Sequence, residues 1–119
     1  MRETGFPVED LSGVPVVVAP EEIDVTNAEE LRAALLQAAA RGPGAFVVDM
    51  THTRFCDSAG IHALVDAYTK ARAEGGQVVL AVSGTSVPRI FSLTGIDKML
   101  RCFPSLDEAL ASVPAVERK

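Results

Sequence analysis

Apolar and polar positions along this chain follow two alternating periods, and the switches between them mark its elements. Phe6 to Leu11 and Val14 to Ala19 read as two strands joined at Ser12-Gly13, as a hairpin would be. A helix follows, with Ala28, Leu31, Leu35 and Ala38 at helical spacing and Gly42-Pro43-Gly44 ending the run. Either Thr26 with Glu29 or Asn27 with Glu30 supplies a capping signal at its start. Ala45-Phe46-Val47-Val48-Asp49 is a continuous apolar run, as expected of a strand buried on both faces. Thr51 to Phe55 reads as a loop.

A second helix is predicted from Ser58 to Glu74. Its buried stripe is Ile61, Leu64, Val65, Tyr68 and Ala71, its other face carries His62, Asp66, Lys70 and Arg72, and Gly75-Gly76 closes it. Gln77 to Val82 is another buried strand, after which Ser83-Gly84 turns into a short helix containing Val87, Ile90, Phe91 and Leu93. Pro88 fits in the first turn of that helix, where its missing N–H would be unpaired anyway, and Gly95 supplies a left-handed C-cap. Ile96 to Leu100 makes a further turn, Arg101-Cys102-Phe103 a short edge strand, and Ser105 with Glu108 a capping box for a last helix through Ala111. The order predicts an α/β fold: one domain over residues 1–119, with a mixed, partly parallel sheet of four to five strands and helices packed on it. The core spans about 6–111, and 1–5 and 114–119 are flexible ends.

Composition narrows the class of partner. At 119 residues and 48% apolar content the chain suffices for one compact core. A net charge of −5 argues against nucleic acid and for a basic protein surface, since phosphate backbones are bound mainly through Lys and Arg. The longest aliphatic run, Val14 to Ala19, is too short to span a bilayer and the N-terminus lacks an apolar signal core, so a soluble, cytoplasmic protein without a membrane partner is expected. Cys56 and Cys102 form no CxxC or Cys/His cluster and read as reduced thiols at strand ends. His52 and His62 lack the spacing of a metal pair.

Candidate chemistry concentrates at Asp57-Ser58-Ala59-Gly60, where an apolar strand and its loop give way to the second helix. A serine hydroxyl there sits at the positive end of a helix among small neighbours, a good place for a phosphate. Gly60, costing on the order of 1 kcal/mol against alanine inside a helix, suggests that another chain approaches the backbone. Asp57 is either the helix N-cap or a partner contact. Asp24 and Glu22 either favour the first helix electrostatically or belong to a docking surface, whereas Thr26 and Asn27 read as caps.

Val47-Val48-Asp49 followed by Phe55-Cys56-Asp57-Ser58-Ala59-Gly60-Ile61 resembles the signature of STAS domains of the anti-sigma-factor antagonist type. The likeness extends back to Glu22-Ile23-Asp24 and forward to Gly75-Gly76, to Val87-Pro88-Arg89-Ile90-Phe91 and to Thr94-Gly95-Ile96. It implies a binding protein and not an enzyme, with no cofactor, whose Ser58 is phosphorylated by a partner that is both anti-sigma factor and serine kinase. By the same resemblance the unphosphorylated form binds that partner and frees the sigma factor, a phosphoserine phosphatase resets the switch, and Asp24, Asp57, Ser58, Ala59 and Gly60 form the partner-binding surface. Some STAS relatives serve a stress-signalling scaffold instead. Glu21 departs from the pattern, where the family commonly has glycine.

Rival readings fail on detail. A hydrolase nucleophile elbow needs G-x-S-x-G, but Cys56 takes the first glycine position and no histidine follows His62 to act as base. A receiver-type domain would carry its phosphate on Asp57, yet only one helix and one strand separate that residue from Glu21-Glu22, and no lysine closes the last strand. No GK[ST] follows a glycine-rich turn, so the chain is not expected to bind nucleotide by itself.

Overall fold

The computed structural model describes residues 6–11, 13–41 and 44–113. Strands β1 (Val8–Leu11) and β2 (Val14–Val18) form the expected antiparallel hairpin, with Val8 opposite Val17 and Leu11 opposite Val14. From β2 onward each strand of the main sheet runs parallel to its neighbour: β4 (Gly44–Met50), β6 (Gly76–Val82) and β7 (Arg101–Phe103) complete the order β1-β2-β4-β6-β7. Parallel neighbours need crossover connections, and helices α1 (Ala28–Ala39), α2 (Ser58–Ala73) and α3 (Ser86–Thr94) supply them. A short helix α4 (Ile96–Met99) leads into β7, and α5 (Leu106–Ser112) ends the described chain.

Side-chain alternation along the strands builds two cores. Val17, Val48 and Leu80 lie in register across β2, β4 and β6 and meet α1, α2, α3 and α4, while Val16, Val47 and Val79, one residue earlier, meet α5 on the other face. That is why Phe46 to Met50 and Val78 to Val82 are buried throughout: both faces of these strands are covered.

Several expectations are corrected by this packing. The buried stripe of α2 is Gly60, Ala63, Leu64, Ala67 and Ala71, with Ile61, Val65 and Tyr68 only partly buried at its margins. Small side chains let the helix approach its neighbours closely, and the larger ones fill the flanks. On α3, where the pattern left the inward face open, Val87 and Phe91 enter the core, Ile90 packs against it and Leu93 is 79% exposed. The Thr26–Glu29 capping box does not form: Asn27 is the N-cap of α1 and makes no side-chain bond to that helix. The Asn27 carboxamide instead turns back, accepting from the Asp24 N–H at 3.0 Å and donating to the Glu22 carbonyl at 2.8 Å. At α5 the Ser105 hydroxyl caps the Glu108 N–H at 3.1 Å, and the Glu108 carboxylate meets that hydroxyl and not the backbone. Gly95 does adopt the left-handed conformation, at φ 85°. The Ser12 turn, the Gly42-Pro43 stop and the flexible ends expected at 1–5 and 114–119 fall on residues outside the described ones.

The sequence pattern missed a second, two-stranded sheet. β3 (Glu22–Ile23) pairs in parallel with β5 (Phe55–Cys56), Glu22 opposite Phe55 and Ile23 opposite Cys56. Strands of two residues carry no readable period. They are held instead by what surrounds them: the Arg54 N–H donates to the Glu21 carbonyl at 2.7 Å, the Asp57 N–H to the Ile23 carbonyl at 3.0 Å, and the Thr53 hydroxyl to the Pro20 carbonyl at 2.7 Å.

Candidate functional site

Because β2, β4 and β6 are parallel, the connections leaving them gather at one edge of the sheet, and the N-termini of α1, α2 and α3 come with them. The dipoles of these helices point their positive ends at this edge. The small β3–β5 sheet lies across it and sets Asp24 and Asp57, the residues following each short strand, side by side at the entrances to α1 and α2.

Asp57 is the N-cap of α2: one carboxylate oxygen accepts from the Ala59 N–H at 2.9 Å and the Gly60 N–H at 3.2 Å. The capping half of the earlier alternative is therefore what the fold displays. Replacing Asp57 by Ala should cost about 1 kcal/mol of stability, read as a lowered urea midpoint with an unchanged slope; a midpoint equal to wild type would refute the cap's contribution. Asp24 serves its own turn in the same manner, accepting from the Thr26 N–H at 2.9 Å and from the Thr26 hydroxyl. Those two bonds hold its carboxyl below the usual 3.8. The turn is thus fully supported above that value and loses the support as pH falls through the depressed one.

Ser58 is the first residue of α2, and its side chain is exposed. Ala59 beside it is half-buried and packs on the core. Gly60 is buried, and the reason it must be glycine lies within the molecule: a Cβ there would come to 2.6 Å from both Cys56 Sγ and Ile23 Cγ2. The expected close approach at Gly60 is real, but the approaching atoms are those of β3 and β5. Glu21, where a glycine was expected, directs its side chain to solvent while its carbonyl holds Arg54.

Basic groups are sparse here. Arg54 and Arg89 are exposed and enter no salt bridge among the described residues, whereas Arg32 pairs with Asp66 at 2.7 Å across α1 and α2. Arg54 also borders a shallow depression of about 440 Å³ shared with Thr51, Thr53, Ser83, Thr85 and Ser86. His52 and His62 are both exposed, and no group of His, Cys, Asp or Glu among the described residues could hold a metal ion.

Both cysteines are free. Burial pushes the Cys56 thiol up to about 12, with the Asp57 charge adding to it, and the Cys102 thiol up to about 11, with Asp97 adding. Since the thiolate is the reactive form, disulfide-exchange reagents at pH 8 should label the native protein far more slowly than the unfolded chain. Rapid labelling of both thiols in the native state would contradict this placement.

Comparison with known proteins agrees with this arrangement. The family profile described as the STAS domain matches residues 6–109. The anti-sigma-F factor antagonist RsfB of Mycobacterium tuberculosis is 33% identical over 109 residues, covering 89% of this chain and 86% of that protein. A crystal structure of an anti-sigma factor antagonist from Mycobacterium paratuberculosis superposes with a TM-score of 0.82 at 36% identity, covering 91% of this chain and 92% of that one. A more distant STAS-domain structure from Planctomyces limnophilus, at 21% identity, covers 90% of this chain and 95% of its own with a TM-score of 0.80, and so shares the fold. Among the described residues no helix is long and apolar enough to cross a membrane. With profile, relatives and topology in agreement, this chain belongs to the STAS-domain family, within its anti-sigma-factor antagonists.

Proposed function

We propose that this chain is a cytoplasmic, non-enzymatic binding protein switched at Ser58. The unmodified form docks an anti-sigma factor that is also a serine kinase, so that the sigma factor is released. Transfer of a phosphoryl group to Ser58 ends the complex, and a phosphoserine phosphatase restores it. The names of the relatives at 33% and 36% identity support the antagonist half of this reading.

The observation that carries the switch is the placement of the Ser58 hydroxyl: exposed, on the first residue of α2, beside an Asp57 carboxylate that already occupies the Ala59 and Gly60 N–H groups. A phosphate there gains nearly two negative charges at an edge that holds Asp24 and Asp57 and finds the nearest backbone donors taken. It remains solvated and in the path of any protein docking on this edge.

Pull-down from cell extract with wild type, Ser58→Ala and Ser58→Asp as baits tests the reading. The alanine form should retain an anti-sigma factor with kinase activity and the aspartate form should release it. Identical catches from all three would overturn the assignment of Ser58 as the switch.

A further inference from the structure

Two of the large apolar side chains left exposed among the described residues, Phe55 and Val25, lie on or just after the short strands that lead into α2 and α1. Phe55 is 45% exposed on β5, three residues before Ser58, and Val25 is 76% exposed immediately after Asp24, two residues beyond the last pair of the β3–β5 sheet. Neither is explained by the core. Phe55 alternates with the buried Cys56 and so points out of the small sheet, while Val25 stands in the turn between β3 and α1. The same edge carries Glu21, Glu22, Asp24 and Asp57 beside the exposed Arg54, and none of the four acidic residues has a basic side chain within 4.0 Å among the described residues; the ion pairs among the described residues involve Arg32 and Lys70 on other surfaces.

We infer that Val25 and Phe55 are the apolar anchors of the docking edge, and that the surface they enter on the anti-sigma factor is an apolar socket rimmed by Lys and Arg. This rests on the proposed function above and specifies its partner's chemistry. Apolar side chains desolvated at the centre of an interface contribute to affinity through the area they bury, while the charged rim chiefly sets the rate of encounter. The division also explains why a phosphate at Ser58 would be effective: it stands on the same edge as both anchors, where water must be excluded for either to contribute.

The test uses the purified anti-sigma factor that the wild-type bait retains. Val25→Ser and Phe55→Ser are each expected to raise the dissociation constant by roughly ten- to a hundredfold, mainly through faster dissociation. Met99→Ser, at a residue 43% exposed on α4 away from this edge, should change it less than about twofold. Glu22→Gln should slow association at low salt and lessen its dependence on salt. Since Phe55 is half-buried, thermal melting checks its fold, and the more exposed Val25 decides the matter alone if Phe55→Ser is unstable. Should both serine variants bind like wild type while Ser58→Asp does not, the anchors are wrong and the switch stands. If Ser58→Asp also binds normally, the switch and the anchors built on it fall together.

Discussion

Phosphorylation of Ser58 is expected to weaken the complex with the anti-sigma factor by about a thousandfold, equivalent to roughly 4 kcal/mol, while shifting the melting temperature by only a few degrees. Both halves follow from the same geometry. The dianion would have to lose water on docking, and the Ala59 and Gly60 N–H groups, the helix donors nearest to it, are bound to Asp57. Arg54 and Arg89, exposed and free of salt bridges among the described residues, are the cations available to pair with it in the unbound state. The fold is spared because Ser58 contributes nothing to either core. Calorimetric titration of the two forms measures the first effect and thermal melting the second. A melting temperature lowered by many degrees would mean that phosphate acts by unfolding the α2 entrance, not by blocking its surface. Aspartate, with one charge and a shorter reach, should reproduce the direction of the binding loss but not its full size.

Gly60→Ala should destabilise the protein by about 2 kcal/mol, lowering its melting temperature by roughly 5–10 °C. The sign is not obvious in advance, since alanine in a helix is favoured over glycine by about 1 kcal/mol. Collision decides it: the added methyl would stand 2.6 Å from Cys56 Sγ and from Ile23 Cγ2, and 3.3 Å from Ile23 Cβ. Relief requires the first turn of α2 to move off the β3–β5 sheet, which also displaces Ser58. Combining Gly60→Ala with Cys56→Ala removes one of the two colliding atoms and should recover part of the loss beyond the sum of the single changes. An unchanged melting temperature for Gly60→Ala would show that the helix entrance has slack that its packing denies. Because the displaced segment carries Ser58, the proposed phosphoacceptor, the same variant should also be a poorer kinase substrate.

The long elements were legible because each offers several turns or alternations. Leu31, Leu35 and Ala38 on α1, the unbroken apolar runs of β4 and β6, and the Ser105 cap of α5 all appear where the patterning puts them. The stripe of α2 was misplaced towards its larger residues because hydrophobicity ranks Ile61 and Val65 above Ala63 and Ala67, whereas close packing favours the small ones. Which apolar residues of α3 face inward was left open by the pattern; Leu93, two residues beyond Phe91, lies on the opposite side of the helix. In the site, Ser58 and the capping capacity of Asp57 could be read locally. The pairing of Glu22-Ile23 with Phe55-Cys56 could not, nor could the exposure of Val25 and Phe55 that depends on it.

What the chain determined by itself is therefore the α/β order, the strands covered on both faces and a serine at the mouth of a helix, since each is written in neighbouring residues and the two backbone periods. Only the folded molecule decided that Asp24 and Asp57 stand together, that Gly60 is small to admit Ile23 and Cys56, and which apolar side chains remain outside. The physical reason is distance along the chain: the meetings of Asp24 with Asp57 and of Ile23 with Gly60 join residues more than thirty positions apart, and no local period or propensity encodes a meeting that closes only when parallel strands bring their far ends to one edge.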